Sequence, residues 1–170
     1  MASTKPVKIT RQTISDIPDN VDPNMYIPVR NGYHGILVYE SSKTHEVFIW
    51  NEFGDTQEME LKELRNAKNT MKTFFVNNYF MFDEEYSWVI KYLGVTEFYK
   101  NAIGIDGFDE LFTKSPNEIK NVVSTMSDGQ KKSLYYCVKE KISNGEIDSF
   151  RTIKALEESL GTILIDKDEG

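Results

Sequence analysis

Short apolar runs separated by polar, turn-forming residues occupy much of the chain from residue 25 to residue 60. β-Branched and aromatic residues are concentrated in four runs, and turn-forming residues separate them, which is typical of β-strands. The predicted strands are residues 25–30, 36–39, 46–50 and 56–60. Because Pro28 has no amide hydrogen for a ladder bond, the first strand is predicted at a sheet edge. Four short strands with tight connections favour a small SH3-like β-barrel or a curled antiparallel sheet.

The pattern changes to a helical period further along the chain. A short helix is predicted at 61–68, a longer one at 83–93 and a second short one at 96–103, followed by one turn at 108–112. Residues 74–82 fit two structures, because short apolar runs do not distinguish a strand from a helix. Asn77-Asn78 would suit a hairpin turn there, and a helix over the same residues stays open.

Three further helices are marked by their N-terminal caps. Ser115 with Glu118 forms a capping-box pattern, and Ser127 with Gln130 forms a second one. Asp148 or Ser149 is predicted to cap the last helix. Its apolar stripe, predicted to point inward, consists of Phe150, Ile153, Leu156 and Leu160.

These patterns predict an α+β protein with four parts. An extended arm (1–24) precedes a small β domain (25–82), a helical domain (83–165) and an acidic tail (166–170), with the domain boundary within 83–107. The arm is basic in its first half, where it carries Lys5, Lys8 and Arg11. We expect a neighbouring subunit to order the arm, either by strand addition to its sheet or by a groove.

The formal net charge of −7 disfavours a nucleic-acid binder, because phosphate contacts normally require a basic face. A local basic surface at Lys131 and Lys132, beside Tyr135, stays open. The single cysteine, Cys137, lies in an apolar helical run. It is predicted to be a buried structural thiol in a protein that folds in a reducing compartment.

No pattern of a catalytic, cofactor or metal site is found. His34 and His45 lie on or beside neighbouring predicted strands, but no HxH or CxxC spacing supplies further ligands. The acidic loop at 106–110 lacks the ligand spacing of an EF-hand, and the carboxylates of 55–63 are interpreted as a solvated face. Phosphate-binding loops and nucleophile motifs are also missing. We therefore expect a non-enzymatic protein without cofactors.

Two stretches resemble small proteins encoded by tailed bacteriophages of Gram-positive hosts. The first runs from VRNGYHG at 29–35 through WNEFGDTQEMEL at 50–61, and the second is IDSFRTIKALE at 147–157. The resemblance spans roughly residues 27–160. It implies a phage origin and carries over no activity and no catalytic residue. Such proteins serve phages as virion components or as binders of host machinery.

The leading hypothesis is a phage structural or virion-assembly protein that acts through protein–protein contacts. The alternative is a phage regulator that binds host transcription or nucleic-acid machinery. The expected location is the virion or the host cytoplasm, without membrane contact, and an oligomer is compatible with both hypotheses. The candidate interaction residues are Lys5, Lys8, Arg11, Phe74, Phe75, Tyr79, Phe80, Lys131, Lys132 and Tyr135.

Overall fold

A computed structural model describes residues 9–165 of the chain. The predicted α+β class is confirmed, with antiparallel sheets in the N-terminal half and helices after them. All four predicted strands form within one or two residues of their predicted bounds, and a fifth follows them. The strands are β1 (Tyr26–Asn31), β2 (Leu37–Glu40), β3 (Val47–Trp50), β4 (Thr56–Glu60) and β5 (Phe80–Met81).

The strands form two sheets, and among the described residues they do not close into a barrel. One sheet has the order β4-β1-β5, and β2 pairs with β3 in the other. The prediction that β1 is an edge strand is wrong, since β1 lies in the middle of its sheet. β5 pairs only with Arg30 and Asn31. Pro28 therefore lies beyond the end of β5, where a missing amide hydrogen costs no ladder bond.

Eight α-helices follow in the described part of the chain. They are α1 (Leu61–Thr70), α2 (Thr73–Val76), α3 (Trp88–Tyr92), α4 (Thr96–Tyr99), α5 (Gly107–Leu111), α6 (Pro116–Ser124), α7 (Asp128–Ser143) and α8 (Phe150–Leu160). A 3₁₀ turn at Glu84–Tyr86 precedes α3, so the predicted helix over 83–93 is divided. Residues 74–82 are neither a hairpin nor one helix. Instead α2 ends at an Asn77-Asn78 turn with a left-handed Asn78, and β5 follows.

The caps of the last three helices come from the predicted serines. Ser115 and Glu118 form a complete capping box, and Ser149 caps α8. The Ser127 hydroxyl accepts a hydrogen bond from the main-chain amide of Gln130, as in a capping box. The Gln130 side chain does not bond back to the main-chain amide of Ser127. It bonds instead to the main chain of Ile103, at 3.0 Å from N and 2.8 Å from O. Phe150, predicted to be inward, is 75% exposed. It borders a surface groove with Pro116 and Lys120 of α6 and is not part of the second core.

Two hydrophobic cores divide the molecule. The first gathers buried residues from Ile27 to Ala102, and the second gathers buried residues from Ile103 to Leu164. In the first core, Trp50 Nε1 donates to the Val29 carbonyl at 2.9 Å, which ties the two sheets together. Within residues 9–165, no helix is long and apolar enough to cross a lipid bilayer.

The described part of the arm, residues 9–24, contacts its own chain. Thr10 bonds to Glu110, and Arg11 forms an isolated β-bridge with Ile103. The buried Gln12 side chain accepts from the Phe82 amide and donates to the Phe82 carbonyl. These contacts hold the arm without the neighbouring subunit that we expected. Lys5, Lys8 and the acidic tail at 166–170 lie outside the described residues.

Candidate interaction surface

A continuous aliphatic surface covers the outer side of the β2–β3 hairpin. Side chains alternate between the two faces of a strand. The inward positions hold Leu37, Tyr39, Phe48 and Trp50, all buried in the first core. The outward positions hold Ile36 (65% exposed), Val38 (51%), Val47 (51%) and Ile49 (45%). We call these four residues the outer face.

The outer face is unusual for a sheet with one side on a core. Such sheets normally carry polar residues on the side turned to water. Here Val38 stands directly opposite Ile49, so the aliphatic side chains form one patch across both strands. Contiguous apolar patches on a protein surface mark sites of interaction with other molecules.

The free edge of β2 adds main-chain bonding capacity to this surface. Ser41 N donates to Glu46 O at 2.9 Å, and bonded and non-bonded pairs alternate along an antiparallel ladder. Val38 and Glu40 are therefore in non-bonded pairs, and their amide and carbonyl groups point away from β3. Ile49, on the opposite strand, fits this register, because its carbonyl points outward and accepts from Gln57. No second strand within residues 9–165 lies along the β2 edge.

Acidic side chains border the outer face at the end of β2. Glu40 occupies the next outward position after Val38, and Glu46 is exposed in the turn that follows. Glu40 lies 3.7 Å from His45 across the same turn, and both side chains are largely exposed. Exposed ion pairs of this kind contribute little to stability, so Glu40 is available to a partner.

The predicted aromatic interaction residues belong mostly to the interior. Phe75 and Phe80 are 0% exposed, so as surface residues they were predicted wrongly. Phe80 lies at the centre of the first core, where its ring stacks on Phe74 at 4.9 Å. Tyr79 is partly buried against Tyr33, and burial raises the pKa of its hydroxyl. The aromatic density at 74–82 therefore reflects core packing.

The predicted basic residues are brought together in part. Lys131, Lys132 and Tyr135 line one shallow groove with Leu160 and Thr162, between α7 and the end of α8. Arg11 lies elsewhere, where its guanidinium donates to the Asn101 carbonyl at 3.0 Å.

The two histidines lie on different parts of the molecule. His34 Nε2 is 2.7 Å from Glu140 of α7, and the His34 amide donates to Ser133. His45 instead lies beside Glu40. Within residues 9–165, no group of three or more His, Cys, Asp or Glu side chains is placed to hold a metal ion.

The carboxylates considered in the sequence have separate partners in the fold. Glu110 accepts two bonds from Thr10, and Asp109 faces Lys141. Asp55 accepts from two main-chain amides of its own turn, and Glu63 accepts from the Tyr39 hydroxyl. These contacts give each of the four a structural role.

Comparison of the chain with protein-family models, curated proteins and solved structures finds no match. The outer face was missed in the sequence, although a signal was present. Residues 36–39 and 47–50 are apolar at both the inward and the outward strand positions, a pattern that is typical of a strand covered on both faces. In this fold, the two-stranded sheet packs on one small core, so its other face stays exposed.

Proposed function

We propose that the chain is a structural or assembly protein of a tailed bacteriophage, and that it works through protein–protein contacts at the outer face. The observation that carries the proposal is the set of four aliphatic side chains, each 45–65% exposed on one side of a hairpin. The phage setting comes from the sequence resemblance alone.

Physical chemistry favours a partner on this face. Removing apolar surface from water contributes about 25 cal/mol per Å² to a complex, before the entropic costs of association are subtracted. The opposite faces of β2 and β3 are anchored in the first core through Tyr39 and Trp50, so the hairpin presents the face on a rigid base. A surface that is already formed loses little conformational entropy on binding.

The test is mass spectrometry of purified particles from the phage that encodes the protein, together with a tagged pull-down from infected cells. We expect the wild-type chain at many copies per particle. The double variant Val38→Asp with Ile49→Asp should fold, because both side chains point to solvent, and should be lost from particles. A matched control, Asn117→Asp with Ser124→Asp, adds the same charge at exposed positions of α6, away from the outer face, and should be incorporated.

Absence of the wild-type protein from particles would overturn the proposal. So would incorporation of the Val38→Asp, Ile49→Asp variant at the wild-type level, because the outer face would then carry no contact.

The second candidate is a phage regulator that binds host transcription or nucleic-acid machinery, and the basic groove favours it. Lys131, Lys132 and Tyr135 combine positive charge with an aromatic ring, which is the combination that single-stranded nucleic acids bind. This role predicts salt-sensitive binding of a single-stranded oligonucleotide that Lys131→Glu with Lys132→Glu abolishes. Binding that is unchanged in this variant, or undetectable in the wild type, would exclude the groove as such a site.

A further inference from the structure

The free edge of β2 can accept an additional strand. Val38 and Glu40 direct their amide and carbonyl groups away from β3, as the ladder alternation requires. An extended segment that aligns with them gains main-chain hydrogen bonds, and its side chains meet Val38 and Glu40. The occupant should therefore carry an aliphatic residue opposite Val38 and a cation opposite Glu40.

We propose that this occupant is the segment of residues 5–8 from a second copy of the chain. This inference rests on the proposed assembly function and names the partner. The segment reads Lys5-Pro6-Val7-Lys8 and directly precedes Ile9. In antiparallel pairing, placing Val7 opposite Val38 places Lys5 opposite Glu40, so one register satisfies both requirements. Opposite charges and aliphatic pairs directly across strands stabilise a sheet.

Pro6 is compatible with the same register. In an antiparallel pair, bonded residues alternate with non-bonded ones. When Val7 and Lys5 bond to the β2 edge, Pro6 occupies the position between them, where an amide would point away from β2. Proline is tolerated in strands at such outward positions. A shift by one residue would put Pro6 at a bonding position and Lys5 opposite Tyr39, so the sequence specifies this register.

The short distance along the chain favours a second copy over the chain's own β2. Val7 precedes Ile9 by two residues, which span about 7 Å at full extension. Ile9 packs against the second core beside Gly107, whereas β2 lies on the first core. A contact between two different surfaces joins copies head to tail, and repetition of that contact builds a ring or a filament. This geometry suits an assembly protein.

A charge swap in the full chain tests the pairing by sedimentation equilibrium. The wild type should self-associate, and either Glu40→Lys or Lys5→Glu should weaken association roughly tenfold, because an attractive pair becomes repulsive. The double variant restores opposite charges and should recover the wild-type dissociation constant. Glu46→Lys is the control, since Glu46 is exposed on the same hairpin outside the register; it should associate like the wild type.

Failure of this inference is distinguishable from failure of the proposed function. A wild-type chain that stays monomeric overturns the arm contact, and so does a double variant that associates no better than the single variants. Either result leaves the particle composition, and with it the assembly role, unaffected. Recovery in the double variant supports the arm contact even if the protein is absent from particles, in which case the virion role is overturned.

Discussion

Cys137 shows how burial in α7 controls the chemistry of one side chain. Burial raises the pKa of its thiol from 9.0 to about 11, against a smaller opposing effect of Lys141. The thiolate is the reactive form of cysteine. At pH 8, about one thiol in a thousand is ionised at such a pKa, compared with about one in ten at the ordinary value. A nucleophilic role for Cys137 is therefore disfavoured.

This shift predicts slow alkylation of the folded protein. Iodoacetamide at pH 8 should modify Cys137 roughly a hundredfold more slowly in the native chain than in urea. Intact-mass spectrometry over a time course measures both rates, and a free thiol peptide in the same tubes controls for reagent decay. Equal rates in native and unfolded protein would show that the thiol is accessible and ionises normally.

Single residues also show where sequence reasoning stops. Gln130 fits a capping box by its spacing from Ser127, but its side chain bonds to Ile103 instead. Phe150 fits an inward stripe by its spacing, and it is exposed. In both cases the outcome depends on a distant part of the chain. Local spacing defines what a residue can do, and tertiary packing selects among those possibilities.

Among the elements, the arm is held to the second core by a carboxylate. Thr10 donates to Glu110 from its amide at 2.6 Å and from its hydroxyl at 2.8 Å. The amide bond first, and the hydroxyl bond second, hold the pKa of Glu110 below its usual value of 4.5. A lowered folded-state pKa means that this contact stabilises the fold fully above pH 4.5. The contribution is lost as the pH falls through the folded-state pKa.

Replacing the carboxylate should release the arm at neutral pH. In Glu110→Ala, amide hydrogens of residues 10–12 should exchange faster, while exchange in β1 stays unchanged. Asp109→Ala is the matched control, because Asp109 faces Lys141 and not the arm. Hydrogen exchange followed by mass spectrometry measures the exchange rates of residues 10–12 and of β1. Unchanged protection at Thr10 in Glu110→Ala would mean that the bridge of Arg11 to Ile103 suffices to hold the arm.

The elements that sequence predicted well are those with local causes. Ser115 and Ser149 cap helices through contacts within three residues, and the strands follow from β-branched and aromatic runs bounded by turn residues. The outer face could not be assigned in the same way. Val38 and Tyr39 are both apolar, so the pattern does not tell which of them faces the core. That choice depends on the packing of Tyr39 against Phe74 and Phe80, which only the fold provides.

At the scale of the whole molecule, a few side chains join the two cores. His34, in the loop between β1 and β2, reaches Ser133 and Glu140 of α7. Gly129 allows close approach, since a Cβ there would lie 2.3 Å from the Asn77 carbonyl oxygen. The cores are thus coupled by polar bonds and close packing at one helix, α7.

Within the second core, removal of the Gln130 side chain should weaken the attachment of α7 to the main chain of Ile103. Gln130→Ala leaves the buried Ile103 amide and carbonyl without their partner, which should cost about 2–4 kcal/mol in the free energy of unfolding. Gln57→Ala, which removes one bond at an exposed position, should change it by less than about 1 kcal/mol. Urea denaturation measures the free energy of unfolding of both variants and of the wild type. A Gln130→Ala midpoint equal to that of the wild type would show that these two bonds do not stabilise the fold.

The arm has a further consequence for the order of synthesis. Thr10 leaves the ribosome before its partner Glu110, which follows 100 residues later in the chain. The Gln12 side chain can form its bond only after Phe82, 70 residues later in the chain, has been synthesised. During translation these residues have no docking place, and they become fixed only after most of the chain has emerged. A nascent chain from which Phe82 has not yet emerged would therefore display its arm undocked, and proteases or chaperones could bind it.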